Sequence, residues 1–163
     1  MRVRLAQKDD LEAIGEVTRW ACSEAIGEMV PETVVDSEVE QRFRKSLLSE
    51  HLLARSLFVG VDSGDRIELV VMVDDQRDHI KLITSVVPTH PDATLDGLSL
   101  VDTLRFMGWL GPISSSVALG DTVHEQFYAL AGFAPGEVTM DRVAGHDVFR
   151  REWWLDPVLS AAG

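Results

Sequence analysis

Three strand-like runs in the middle of the chain constrain its fold more than any other feature. Leu57 to Val61, Ile67 to Val73 and Ile80 to Val87 follow one another with only short polar links. Each is rich in β-branched residues, and Ser63-Gly64-Asp65 supplies a tight turn between the first two. The link at Asp74 to Asp78 is polar and turn-like, and Pro88 ends the third run.

The flanks alternate between the two periods. Arg2 to Ala6 alternates charged and apolar residues, which predicts a short first strand. Asp9-Asp10-Leu11-Glu12 reads as a helix start, an Asp cap followed three residues later by a Glu. Leu11, Ile14, Val17 or Thr18, Ala21 and Ala25 share one face of that helix, and Gly27 and Pro31 end it. A second helix is predicted from Val35, Val39, Phe43 and Leu47, with Glu38–Arg42 and Glu40–Arg44 pairing on its exposed side.

After the loop Thr89 to Asp96, either Thr94 or Asp96 can cap a helix that buries Leu98, Val101, Leu104 and Met107. Val117-Ala118-Leu119 reads as a short buried strand, and Asp121 caps a helix bearing Val123, Phe127 and Leu130. Glu137 to Val143 and Asp147 to Trp154 form a hairpin turned at Ala144-Gly145-His146. The order is β, α, α, β, β, β, α, β, α, β, β. No repeat, low-complexity tract or linker interrupts it, so residues 1–163 read as one mixed α/β domain.

Composition narrows the function. With 15 basic and 27 acidic residues the net charge is −12, which repels phosphate backbones and anionic membranes. No apolar run approaches the roughly 20 residues of a membrane helix, and the polar start excludes a secretory signal, so a cytoplasmic location is expected. Cys22 is the only cysteine, and His51, His79, His90, His124 and His146 show no ligand spacing, so no metal site is expected.

The element order resembles the GNAT N-acetyltransferase superfamily over nearly the whole chain. Phe127-Tyr128-Ala129-Leu130-Ala131-Gly132-Phe133 looks like that family's Tyr-x-x-x-Gly-Phe segment. Val86-Val87-Pro88 resembles the Val-x-Pro that ends its fourth strand, and Val3-Arg4-Leu5-Ala6 with Asp9-Asp10-Leu11 is similar to its start. The resemblance implies a mixed, mostly antiparallel sheet flanked by helices, with acetyl-CoA as acyl donor. It implies that backbone groups at Val86, Val87 and Pro88 hold the pantetheine arm, that Gly97 and Leu98 lie at the pyrophosphate end, and that Tyr128 protonates the leaving thiolate. A small-molecule or protein amine would be the acceptor, and the Val87 N–H would polarise the thioester carbonyl.

The cofactor loop departs from the family pattern, Gln/Arg-x-x-Gly-x-Gly/Ala. Thr89 to Leu98 keeps only Gly97, has no Gln or Arg to open the motif, and adds Asp92 and Asp96. At an effective dielectric near 20, a like-charge contact at about 4 Å costs roughly 4 kcal/mol, more than the roughly 0.3–2 kcal/mol that a helix terminus returns. Two functions therefore stand side by side: an acetyl-CoA-dependent N-acyltransferase, and a catalytically inactive GNAT-fold module for binding or assembly, for example in a multiprotein or viral particle.

Individual residues keep alternatives open. Tyr128, the only tyrosine, serves either as packing or as the acid, and Asp96 as helix cap or base. Glu68, Asp74, His79 and Thr84 all qualify as general base by position. Trp153-Trp154 reads as core or interface packing, the latter consistent with a homodimer.

Overall fold

The computed structural model describes residues 1–89 and 93–159. Seven strands form one sheet in the order β1-β2-β3-β4-β5-β7-β6. These are β1 (Arg2–Leu5), β2 (Leu57–Val61), β3 (Ile67–Asp75), β4 (Ile80–Val86), β5 (Ile113–Ala118), β6 (Ala134–Val143) and β7 (His146–Leu155). All neighbours pair antiparallel except β4 and β5, which run parallel. That exception follows from the connection, because α4 (Ala93–Phe106) carries the chain back across the sheet between them. The expected mixed, mostly antiparallel sheet with flanking helices is what the chain builds.

Helices cover both faces. Phe58, Val71 and Leu82 pack on one side with Leu100 and Leu104 of α4 and with Phe127 and Tyr128 of α5 (Thr122–Leu130). Val59, Val70 and Met72 point the other way, against Ile14 and Ala21 of α1 (Leu11–Ile26), Phe43 of α2 (Glu32–Phe43) and Leu48 of α3 (Lys45–Leu53). The β2–β4 core is apolar on both faces because both are roofed.

Several local expectations change in the folded chain. The expected helix start at Asp9 falls inside a short 3-10 turn, Lys8–Asp10, and α1 begins at Leu11. Asp10 accepts from the Gln7 backbone N at 2.7 Å and from Arg4, so the acidic device sits just before α1 and not on it. The predicted second helix is two, because Arg44 is extended (φ −58°, ψ 150°) and separates α2 from α3. No glycine or proline marks that break; the turn lets Phe43 and Leu48 face the same core. Helix α4 runs through Thr94 and Asp96, so neither caps it. Its packed side is Gly97, Leu100 and Leu104, while Leu98 and Met107 are exposed. Helix α5 is rotated from the expected face: His124, Phe127 and Tyr128 are buried, and Val123 and Leu130 are exposed.

The last hairpin is turned at Ala144 (φ 48°) and Gly145 (φ 80°), two left-handed residues that match the twist of paired strands. Trp153 packs into the core, and Trp154 lies on the opposite face against the His79 ring at 4.8 Å.

Gly97 marks the tightest contact between α4 and α5. A Cβ there would stand 2.8 Å from Ala131 Cβ. Helix propensity favours alanine by about 0.8–1 kcal/mol, but overpacking a tight contact costs about 1–3 kcal/mol. Gly97→Ala is therefore expected to lower the urea unfolding midpoint; a raised midpoint would show that the two helices separate freely.

Candidate active site

The site begins where the ladder between β4 and β5 stops. The two strands pair only at Ile80↔Ile113, Lys81↔Ser114 and Leu82↔Ser115. Beyond Leu82, β4 still pairs with β3 and β5 still pairs with β7, but their facing edges have no mutual ladder bonds. A register shift deepens the split: Val71 pairs with Thr84 and Val70 with Val86, so Ser85 is an extra residue. The Ser85 hydroxyl lies 2.9 Å from that of Thr18 in α1, which fixes the bulge from one side.

Side chains take over where backbone pairing ends. The Ser115 hydroxyl donates to the Leu82 carbonyl at 3.0 Å. Tyr128, fully buried, shares a 2.9 Å hydrogen bond with Thr84 of β4 and lies beside Ser115 of β5. One phenol thus spans both strands at the point where they part. Burial pushes its pKa from 10.0 up to about 12, with Ser115 and Thr84 pulling in the other direction. Phe127 and Phe133 enclose the ring edge-on at 5.4 and 5.0 Å.

Above the phenol, the separated strands open a cavity toward α1 and α2. Thr84, Ser85 and Ser116 form part of its floor, with Cys22, Glu38, Arg42, Asp121, His124 and Arg150 among its walls. The Asp121 side chain caps α5 by accepting from His124 N at 3.2 Å. Its other oxygen lies 2.8 Å from His124 Nδ1, close but not aligned as a hydrogen bond. Glu38 is buried, contrary to the expected surface pair. It accepts from Arg150 Nη2 at 2.6 Å and from Arg42 Nη1 at 3.5 Å, while Arg150 Nε reaches Asp141 at 2.8 Å. Burial, and then the neighbouring Arg150 charge, lower the Arg42 pKa. Burial likewise pushes the Cys22 thiol up to about 11, so it is a poor nucleophile at neutral pH.

The residues singled out from sequence are distributed unevenly. Val86, Val87 and Pro88 are buried and follow the bulge along the split edge of β4. Tyr128 and Thr84 meet at the split, whereas Gly97 faces Ala131 and Leu98 faces outward. Asp96 is buried, with its Oδ1 3.3 Å from the Met1 amino group. Asp92 lies outside the described residues. Among the candidate bases, His79 contacts Asp78, Asp74 contacts His51 and lines an adjoining pocket with Glu38, Arg42 and Arg150, and Glu68 sits near the start of β3. Sequence reasoning missed Glu38, Arg42, His124 and Arg150. Only His124 had a local signal, three residues after the Asp121 cap. Among the described residues, no group of three or more His, Cys, Asp or Glu side chains could hold a metal ion.

No family model and no curated protein matches the sequence. Solved structures do match. The PaiA N-acetyltransferase of Thermoplasma acidophilum, in complex with coenzyme A, is 16% identical with a TM-score of 0.67, over 92% of this chain and 96% of that one. A GNAT-family acetyltransferase of Bacillus cereus is 14% identical, TM-score 0.64, covering 97% and 98%. The chain has the GNAT fold. Spermidine N-acetyltransferase of Vibrio cholerae, in complex with CoA and spermine, is similar to it at 15% identity and TM-score 0.63, over 94% and 93%. At these identities the likeness concerns the fold, and the chemistry must be argued from the site. Among the described residues, no helix of this GNAT-fold chain is long and apolar enough to cross a membrane.

With one tyrosine in the chain, the enclosure of Tyr128 is directly measurable. Phenolate absorbance is expected near pH 12 in the folded protein and near 10 once unfolded. Because the folded value is the higher one, this group's contribution is fully present below about pH 10 and is lost as pH rises toward 12. A folded-state titration near 10 would place the phenol in water.

Proposed function

We propose that the chain is an N-acyltransferase that moves an acetyl group from acetyl-CoA to an amine. The carrying observation is the split between β4 and β5 with the Tyr128 hydroxyl at its closed end. Beyond Leu82 the edge of β4 that faces β5 has no ladder partner, so the backbone there and at the following Val87 can hydrogen-bond an extended amide-bearing arm as a third strand would. The pantetheine arm of coenzyme A has that form, so the split edge fits it. At the phosphate end, Asp96 is turned inward and paired with the Met1 amine, so its charge is not presented as a free surface carboxylate.

Acetyl-CoA supplies an activated thioester. The Val87 N–H would polarise its carbonyl, and Tyr128 would hold a hydrogen bond to the departing sulfur. A phenol near 12 is a weaker acid than a thiol near 8.5. Donation from Tyr128 is therefore downhill only if its oxygen regains a proton from the attacking nitrogen in the same event. Enclosure keeps the phenol protonated until that moment.

A second reading, a non-catalytic GNAT-fold binding module, is favoured by one observation. Gly97, the only glycine left in the loop, is spent on the α4–α5 contact and is not free to admit phosphate.

Titration calorimetry with acetyl-CoA at moderate salt separates the two. Saturable binding is expected, and no heat or thermal shift at millimolar acetyl-CoA would leave the binding-module reading. Given binding, Tyr128→Phe is expected to lower kcat by about 100-fold with the affinity for acetyl-CoA little changed. Unchanged kcat would remove the phenol from the chemistry.

A further inference from the structure

The cavity wall contains a buried ring with one nitrogen unused. His124 is only 8% exposed; its Nδ1 lies 2.8 Å from Asp121, while among the described residues its Nε2 has no hydrogen-bond partner. Leaving a buried polar atom unpaired costs about 1–3 kcal/mol, so an unpaired ring nitrogen on a cavity wall marks a place where a ligand completes the bonding. The ring is also placed for chemistry. His124 and Tyr128 are one helical turn apart on the buried face of α5, which stacks their side chains along one line. The Tyr128 hydroxyl closes the strand split from one side, and His124 lines the cavity that opens from it.

We infer that His124 is the general base for the acceptor amine, and that the cavity is the acceptor's entry. The assignment rests on the acyl-transfer reading above. An ammonium entering here meets Arg42 and Arg150, whose counter-charges, Glu38 and Asp141, are already engaged by them, which leaves Asp121 behind the ring as the nearest acidic group. Passing the proton to His124 moves the positive charge to a ring whose Nδ1 lies 2.8 Å from Asp121.

The step balances as follows. His124 Nε2 takes one proton from the ammonium, freeing the lone pair that forms the N–C bond at the thioester carbonyl. As the C–S bond breaks, its electron pair goes to sulfur, which accepts the Tyr128 proton. Tyr128 is reprotonated by the second proton of the nitrogen, and His124 releases the first to solvent. One amine and one thioester become one amide, one thiol and one proton.

The test compares wild type with His124→Gln, using acetyl-CoA and butylamine. The substituted protein is expected to lose about 100-fold in kcat while its KM for acetyl-CoA and its Tm stay close to wild type. Its remaining rate should climb steadily with pH, because solvent must now deprotonate the amine, whereas the wild-type profile levels off. The groups facing the ring that also titrate or carry charge are Asp121, Glu38, Arg42, Arg150, Cys22 and Tyr128. All are retained in His124→Gln, so a lost plateau is assigned to the imidazole. His124→Ala should regain turnover with added imidazole. Independently of turnover, butylamine added with unacetylated coenzyme A should shift one histidine-ring nitrogen resonance that is missing from His124→Gln. A wild type that releases no CoA with butylamine overturns the acyl-transfer reading and this assignment together. A wild type that turns over while His124→Gln keeps its rate and pH profile, or while no ring resonance moves, overturns the assignment alone.

Discussion

Every feature of the site depends on a ladder that stops after three rungs. Parallel pairing of β4 and β5 ends at Leu82↔Ser115, and the backbone groups that face each other beyond it lack the partners a continuous ladder would give them. The structure holds the strands apart with a bulge at Ser85 on one side and a polar wedge of Ser115, Tyr128 and Thr84 between them. Hydroxyls replace amide pairing at the fork, so the separation is built into the fold. The open edge, the buried phenol and the cavity are three consequences of that one interruption.

The charges around the cavity follow from the same geometry. Where the strands part, α1, α2 and β7 meet over a gap that apolar side chains do not fill. Glu38 is placed in it with Arg42 and Arg150, and each ion is compensated by another instead of by water. Such an arrangement is a poor way to gain stability and a good way to keep a polar, preorganised space inside a protein. The two halves of the site differ accordingly, one hydroxyl-lined and enclosed, the other ionic and open to α2.

Much of the scaffold was legible along the chain. The three central strands, the hairpin at Ala144-Gly145 and the Asp121 cap all depend on local period and turn chemistry, and they appear where the residues put them. Tyr128, singled out by its motif, sits at the strand split beside Thr84. Helix faces were less legible: α5 buries His124 and Tyr128 in place of Val123 and Leu130, because facing the strand fork favours side chains that can bond as well as pack. Glu38 misled for a related reason, since an i,i+4 pair with Arg42 reads as surface until Arg150 arrives from 112 residues away.

The amino-acid order by itself determined most of the elements and their sequence along the chain, because those are short-range consequences of side-chain spacing. Tertiary structure alone decided where β4 and β5 cease to pair, which face of α5 turns inward, and that Glu38, Arg42, His124 and Arg150 share one cavity. Those outcomes depend on residues that meet across the sheet. No local pattern records what a buried charge or an unpaired ring nitrogen will find there.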